Sequence, residues 1–270
     1  LSDAELEMFT TFLHELVDAS GSVIRPHFRA PLTVENKAEG TAYDPVTIAD
    51  RNAEAAIRER ISARYPEHGI LGEEHGRASG DSPLFWVIDP IDGTRSFVAG
   101  LPTWGTLIAL NDGERPVVGV MDQPFTGERF IGSRLGAKFH HRGKQTLLKT
   151  RACANLESAV LCCTTEEIFV EADELAAFRE IAGRVRLQRY GGDCYSYCML
   201  AHGLIDLVIE ASLMPYDIQA IVPIVEAAGG VVTSWSGGHP DQGGQVVAAG
   251  DPRTHAQALE ILRGAARLPS

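Results

Sequence analysis

Three short stretches of this chain set carboxylates beside glycine or at the mouth of a helix. They are Gly72-Glu73-Glu74, Trp86-Val-Ile-Asp89-Pro-Ile-Asp92-Gly-Thr94 and Pro215-Tyr-Asp217. Oxygen ligands of this kind suit hard divalent cations. The middle stretch says most. The apolar run Phe85 to Ile88 reads as a strand. Pro90 has no N–H and confines Asp89 to extended geometry, so the strand is expected to stop with Asp89 at its tip. Asp92, three residues on, can aim at the same spot from the turn. Gly93 and Thr94 would then open a helix or tight turn whose N–H groups suit an anion. Carboxylates beside an anion hole make sense with metal ions between them, and Mg²⁺ is commonly held by a few carboxylates and a substrate phosphate. No thiol or imidazole stands in these stretches, which argues against zinc. Each stretch also has a plain reading. Asp-Pro and Asp-Gly are turn residues, Asp92 and Asp217 can cap helices, and Glu73 and Glu74 can be solvated charges. Three coincident clusters at element boundaries favour the metal.

The elements that must position them follow from periodicity. Leu6, Phe9, Phe12, Leu13, Leu16 and Val17 mark a first helix, opened by a Ser2/Glu5 capping box and ended near Arg25-Pro26. Residues 31–45 read as a loop. A second helix runs from about Thr47, spaced to cap with Asp50, through Ile57 and Ile61 to about Arg64. Strands follow at Phe85–Ile88, Gly105–Leu110, Pro116–Met121, Arg129–Ile131 and Ala137–Phe139, with a hairpin turn at Asn111-Asp112-Gly113. The basic stretch Arg134, Lys138, Arg142, Lys144, Lys149 and Arg151 is the expected crossing, giving an N-terminal α+β half (1–143) and a C-terminal α/β half (144–270). In the second half, strands at Ala159–Cys163, Leu207–Glu210, Gly230–Thr233 and Val246–Ala249 alternate with helices. Those helices are read at Glu171–Ile181, Tyr195–Ala201, Ile218–Ala228 and Thr254–Leu262.

Composition narrows the function classes. Lys and Arg number 24 against 36 Asp and Glu, a net charge of −12 that repels nucleic-acid backbones and anionic membranes. Ala220 to Val232, broken by Pro223, Glu226 and two glycines, is too short and interrupted to cross a membrane. The acidic start lacks the marks of a signal peptide, although a first residue other than Met leaves room for trimming. Five scattered cysteines read as reduced thiols of a cytoplasmic protein. Cys194, Cys198 and His202 share a helical face, but packing explains that better than a soft-metal site.

Taken together, Gly72-Glu73-Glu74, Asp89-Pro-Ile-Asp-Gly-Thr94 and Asp217 leading to Glu226-Ala-Ala-Gly-Gly230 resemble the inositol monophosphatase family. The likeness extends from Asp44-Pro-Val-Thr-Ile-Ala-Asp50 to Gly230. That resemblance implies a five-layered α-β-α-β-α sandwich of the inositol monophosphatase and fructose-1,6-bisphosphatase type, with two or three Mg²⁺ ions and lithium sensitivity. By motif position, Glu73, Asp89 and the Ile91 carbonyl would hold a first metal, and Asp89, Asp92 and Asp217 a second. Glu73 would also reach a third, looser ion. Glu73 and Thr94 would position the attacking water, with Asp50 behind Thr94, while the Gly93 and Thr94 N–H groups cradle phosphate. Two cations clamping a phosphate monoester would activate that water for in-line attack without a side-chain nucleophile.

The pocket for the leaving alcohol is where the likeness becomes finer. Gly192, Asp193 and Glu210 fall at its wall, and a carboxylate at Asp193 departs from inositol-directed members. Two acids suit a cationic leaving group such as histidinol. Arg95-Ser-Phe97, Gly105 to Leu110, Asp122-Gln-Pro124 and Tyr190-Gly-Gly-Asp-Cys-Tyr195 are also similar to the histidinol-phosphate phosphatase branch, a resemblance that would place the enzyme in histidine biosynthesis. Asp193 also fits a helix cap before Tyr195, a role compatible with binding. The alternatives are an inositol-1-phosphate or broad sugar-phosphate phosphatase, then a 3′-nucleotidase, then an RNA-associated accessory protein resting on the basic stretch alone. Relatives of the family are often homodimers, a state the sequence leaves open.

Overall fold

The computed structural model describes residues 1–30, 34–36 and 45–267. The chain runs α1 (Asp3–Ile24), β1 (Val34–Asn36), β2 (Pro45–Thr47), α2 (Ile48–Arg64), β3 (Gly69–Gly72), β4 (Gly76–Ala78), β5 (Phe85–Asp92) and α3 (Thr94–Val98). Then come β6 (Gly105–Asn111), β7 (Pro116–Gln123), β8 (Glu128–Ser133), β9 (Gly136–His141) and β10 (Lys144–Leu147). The remainder is β11 (Val160–Cys163), α4 (Ala172–Ala182), β12 (Leu187–Tyr190), α5 (Asp193–Ala201), β13 (Leu207–Leu213), α6 (Pro215–Ile218), α7 (Ile221–Ala227), β14 (Val231–Ser234), β15 (Gly244–Ala249) and α8 (Pro252–Leu262).

Two large sheets result. The first has the order β10-β9-β8-β7-β6-β5-β3-β4 and is antiparallel except where β3 lies parallel to β5. The second has the order β12-β11-β13-β15-β14. Strand alternation explains the layering. Trp86, Ile88, Ile108, Leu110, Val118 and Val120 meet Phe9, Phe12, Leu16, Ile57 and Ile61 of α1 and α2. The alternate residues Val87, Leu107, Ala109 and Met121 face Tyr197, Cys198, Ile221 and Ile224 of α5 and α7. Those two helices also cover Val208, Val246 and Ala248 of the second sheet. Its outer face, with Leu161, Leu207, Ile209 and Val247, packs on Phe178, Ile181, Leu259 and Leu262 of α4 and α8. The order is helix, sheet, helix, sheet, helix, the five-layered sandwich expected. Both faces of each sheet are buried, so strands such as β6 read as continuous apolar runs.

Local chemistry sets the ends. The Ser2 hydroxyl accepts the Glu5 N–H at 3.3 Å and Glu5 accepts the Ser2 N–H at 2.7 Å, the reciprocal box that starts α1. Several expected bounds shift. Within the 31–45 stretch read as a loop, β1 and β2 pair antiparallel, and the residues between them lie outside the described ones, as does the Thr47 side chain expected to cap α2. The helix expected over Ile218–Ala228 is two short ones, α6 and α7, and α5 begins at Asp193 rather than Tyr195. Much of the basic stretch is the β8–β9–β10 edge of the first sheet rather than a connection, and the chain leaves that sheet only after Leu147. Arg151 is tied up in a two-pronged pair with buried Asp206 at 2.6 and 2.5 Å, and Arg134 pairs with Asp3. All five cysteines are buried and unpaired.

α7 reaches the first sheet through glycines. A Cβ on Gly119 would stand 2.1 Å from the Ala220 carbonyl oxygen, and one on Gly132 2.3 Å from the Ile224 Cα. Backbone meets backbone there and cannot yield. Gly132→Ala is expected to destabilise the protein by about 1–3 kcal/mol, the usual cost of overpacking a core. Urea unfolding checks this, and an unchanged midpoint would mean that α7 is free to lift off the sheet.

Candidate active site

The strand that carries Asp89 does not stop at Pro90, as the sequence suggests. β5 continues to Asp92, and its register against β6 shifts on the way: Asp89 lies opposite Leu107, Asp92 opposite Gly105. Three steps on β5 thus match two on β6, a bulge of one residue. In a regular strand, residues three apart point to opposite faces; the bulge reverses that parity, so Asp89 and Asp92 converge. Proline suits the bulge because it has no N–H to leave unpaired. Its carbonyl accepts the Thr106 hydroxyl at 2.8 Å, and the Asp89 carboxylate accepts the Ile91 N–H at 3.0 Å.

Asp217 arrives from α6, braced by the Met214 N–H at 2.7 Å. One oxygen from each of Asp89, Asp92 and Asp217 lies within 4.8 Å of the others. A second group of the same spacing joins Asp50 of α2 to Glu73 and Glu74. Glu73 follows β3, where its N–H donates to the Ile88 carbonyl at 3.1 Å, so it stands next to the end of β5. Burial holds the Asp89 carboxyl well above the usual carboxylate range, and Glu73, Asp92, Asp217 and Asp50 push it further by repulsion. Asp92 is pushed up to about 7, first by burial and then by Asp193. Asp217 is raised by burial and by Asp92. The two groups therefore act as one concentration of negative charge.

The donors fit a hard divalent cation: both groups are all carboxylate, and among the described residues no cysteine or histidine joins either. One cysteine from outside the three stretches does come close to the cluster. Cys194, at the head of α5, donates its N–H to the second oxygen of Asp92 at 2.8 Å. Burial drives its thiol pKa well up, so it stays protonated. Cys198 lies in the same core, while His202 packs on Phe139 at the surface.

Gly93 precedes α3 with φ +80°, and a Cβ there would lie 3.0 Å from the Asp193 carboxyl carbon, so only glycine suits both demands. The Thr94 hydroxyl donates to the Ile91 carbonyl at 3.0 Å. Asp193 does not cap α5 by its side chain. It adopts φ +41°, a left-handed conformation that Asp tolerates better than most residues, and accepts the Ser96 hydroxyl at 2.7 Å. Glu210, buried on β13, accepts the Thr164 N–H at 2.8 Å and hydroxyl at 2.5 Å, and the Tyr197 hydroxyl at 3.4 Å. Burial lifts its pKa to about 8. Gly192 caps α5 beside them. A cavity of about 190 Å³ joins these parts: Asp92, Asp193, Glu210 and Asp217 all line it, with Thr164, Tyr197 and Ser212. Sequence reasoning named the acids and carried Ser96 only as part of a motif, and it did not single out Thr164 or Tyr197; these three hydroxyls hold the acids. Hydroxyl residues in helices and after strands carry no signal of their own.

The family profile of inositol monophosphatases matches residues 5–266. The bifunctional phosphatase IMPL2, chloroplastic, of Arabidopsis thaliana is 43% identical over 97% of this chain and 77% of its own length. A histidinol-phosphatase of Streptomyces coelicolor is 35% identical over 92% of this chain and 94% of its own. The solved structure of an inositol monophosphatase from Zymomonas mobilis superposes with a TM-score of 0.84 at 40% identity, covering 97% of this chain and all of that one. The chain belongs to the inositol monophosphatase family, and the class of chemistry is phosphoric monoester hydrolysis.

Clustered carboxylates that repel one another are stabilised by any cation bound between them. Mg²⁺ at a hundredfold excess over its Kd should stabilise the fold by about 2.7 kcal/mol. Asp92→Asn is expected to remove most of that gain, to abolish phosphate release, and to leave the metal-free protein no less stable. Thermal unfolding with and without Mg²⁺ reads this; a variant with the wild-type shift would detach Asp92 from the metal.

Proposed function

We propose that this phosphatase hydrolyses L-histidinol phosphate, releasing L-histidinol and phosphate. The observation that carries the reading is the cavity beside the carboxylate cluster. Asp193 and Glu210 stand on its wall, and among the described residues no Lys, Arg or His lines it. Phosphate would lie against the cluster, so the leaving alcohol would lie here, in a negative field that favours a cation. Histidinol offers an ammonium and an imidazole. A neutral polyol offers neither, and Glu210, whose pKa stands near 8, would stay largely protonated beside it. The relatives named histidinol-phosphatase agree with this choice. Inositol 1-phosphate or a broad range of sugar phosphates is the rival reading, on the same carboxylates.

In this reading Glu73, Asp89 and the Ile91 carbonyl would hold one Mg²⁺, and Asp89, Asp92 and Asp217 would hold a second, with a third ion within reach of Glu73. The bound ions would draw charge from the phosphate oxygens and from the attacking water. Glu73 and the Thr94 hydroxyl orient that water, with Asp50 behind them, and the N–H groups of Gly93 and Thr94 take a phosphate oxygen. Ser96 fixes Asp193 on one side of the leaving group. Thr164 and Tyr197 fix Glu210 on the other, so both acids are preorganised by hydroxyl donors. The N-terminal half, 1–143, supplies most of the metal ligands; the C-terminal half, 144–270, supplies Asp217 and the groups that read the alcohol.

Asp193→Asn isolates the charge, because asparagine tolerates the left-handed backbone at that position. It is expected to lower kcat/KM for L-histidinol phosphate at least tenfold and to leave that for inositol 1-phosphate within about twofold, as loss of one charge-assisted contact of about 1.5–3 kcal/mol would do. Phosphate release on the two substrates measures it. Equal losses on both would assign Asp193 a structural role only.

A further inference from the structure

Glu54 is fully buried on α2, four residues and so one turn beyond Asp50, and takes no part in the chemistry above. Its carboxylate accepts the Glu74 N–H at 2.7 Å and the His75 N–H at 3.2 Å. The Arg58 guanidinium donates to the same carboxylate at 2.6 Å and, through its other arm, to the Gly76 carbonyl. Gly72 makes room for this arrangement: a Cβ there would stand 2.0 Å from the Glu54 oxygen and 2.8 Å from Arg58. On the far side, Glu73 is held by its N–H on Ile88 of β5. The Glu73-Glu74 turn is thus suspended between a strand and a buried ion pair.

We infer that Glu54, with Arg58 and Gly72, is the positioning group that sets the Glu73-Glu74 turn and so tunes its affinity for a divalent cation. The inference rests on the cation reading of the carboxylate groups. Glu54 touches no reacting atom. α2 carries both Asp50, a member of the second carboxylate group, and the clamp that brings Glu73 and Glu74 to it. One rigid helix therefore fixes the distance between ligands that come from separate elements. Gly72 is glycine because a side chain would evict the clamp.

Calorimetric titration of the full chain with Mg²⁺ tests the idea, alongside urea unfolding of each variant. Glu54→Gln keeps the shape and removes the charge that holds two N–H groups and Arg58. It is expected to weaken Mg²⁺ binding about 10–100-fold, the usual effect of losing a group that orients metal ligands. The Mg²⁺ concentration for half-maximal rate should rise in step, while kcat recovers at saturating Mg²⁺. Gly72→Ala should act in the same direction, and Arg58→Lys, which keeps the charge but cannot span Glu54 and Gly76, should give a smaller loss. A folded Glu54→Gln that binds Mg²⁺ as tightly as wild type overturns the clamp, whatever its stability. Should that variant not fold, wild-type affinity in folded Gly72→Ala and Arg58→Lys overturns it equally. Wild-type protein that binds no divalent cation overturns the underlying cation reading, and the clamp with it.

Discussion

Mutual repulsion among carboxylates is the constraint around which this structure is arranged. Asp89 is buried, and Glu73, Asp92, Asp217 and Asp50 all raise the cost of its charge. Left to themselves such side chains would turn outward to water, since taking a carboxylate charge out of water costs several kcal/mol. Each is instead held by a backbone device. The β5 bulge aims Asp89 and Asp92 together. The Met214 N–H holds Asp217 and the Cys194 N–H holds Asp92. The pairing of Glu73 with Ile88 fixes the β3 end. Four apolar cores among the described residues supply the free energy that opposes the repulsion, so the cluster is assembled before any cation arrives.

The five layers serve that assembly. α5 and α7 are shared, one face on each sheet, which locks the two halves together across a single helical layer. Close approach at Gly119 and Gly132 makes the lock short. The β5 end, α6 and the head of α5 then meet at one point, although Asp92 and Cys194 are 102 residues apart in sequence. A surface loop could not hold carboxylates so close against their repulsion; ends of elements anchored in packed cores can.

Much of this was legible in the sequence, for identifiable reasons. Strong periodicity gave α1, α2 and the central strands, and boundary glycines and prolines marked the carboxylate stretches. Family likeness gave the layered fold. What escaped was set by distant contacts. Pro90 and Asp89 read locally as a strand stop, yet pairing with β6 carries β5 on through a bulge. The polar strands β4, β10 and β12 carry no apolar alternation, because they sit at or near sheet edges where one side needs no packing. The Cys194 amide on Asp92 and the Thr164 grip on Glu210 join residues tens of positions apart, which no spacing rule reaches.

The proposed specificity wall would let one machine be turned to a new alcohol without disturbing its cations. Asp193 and Ser212, both non-glycine residues with left-handed φ of +41° and +61°, line the same cavity. Such conformations cost about 1–3 kcal/mol each, and structures retain them where the geometry they enforce matters. At Asp193 that geometry lays the carboxylate over Gly93 and onto the Ser96 hydroxyl. An acid added to an already negative cluster is a liability unless something positive completes it. In the proposed reading, divalent cations would answer the charge of Asp89, Asp92 and Asp217 on one side. Asp193 and Glu210, on the other wall, would face the leaving group, and both are raised in pKa by their burial. A cationic alcohol would ionise them and be held; a neutral one would find them partly protonated and indifferent. In the proposed reading, the charge balance of the cavity, more than its shape, would select the substrate.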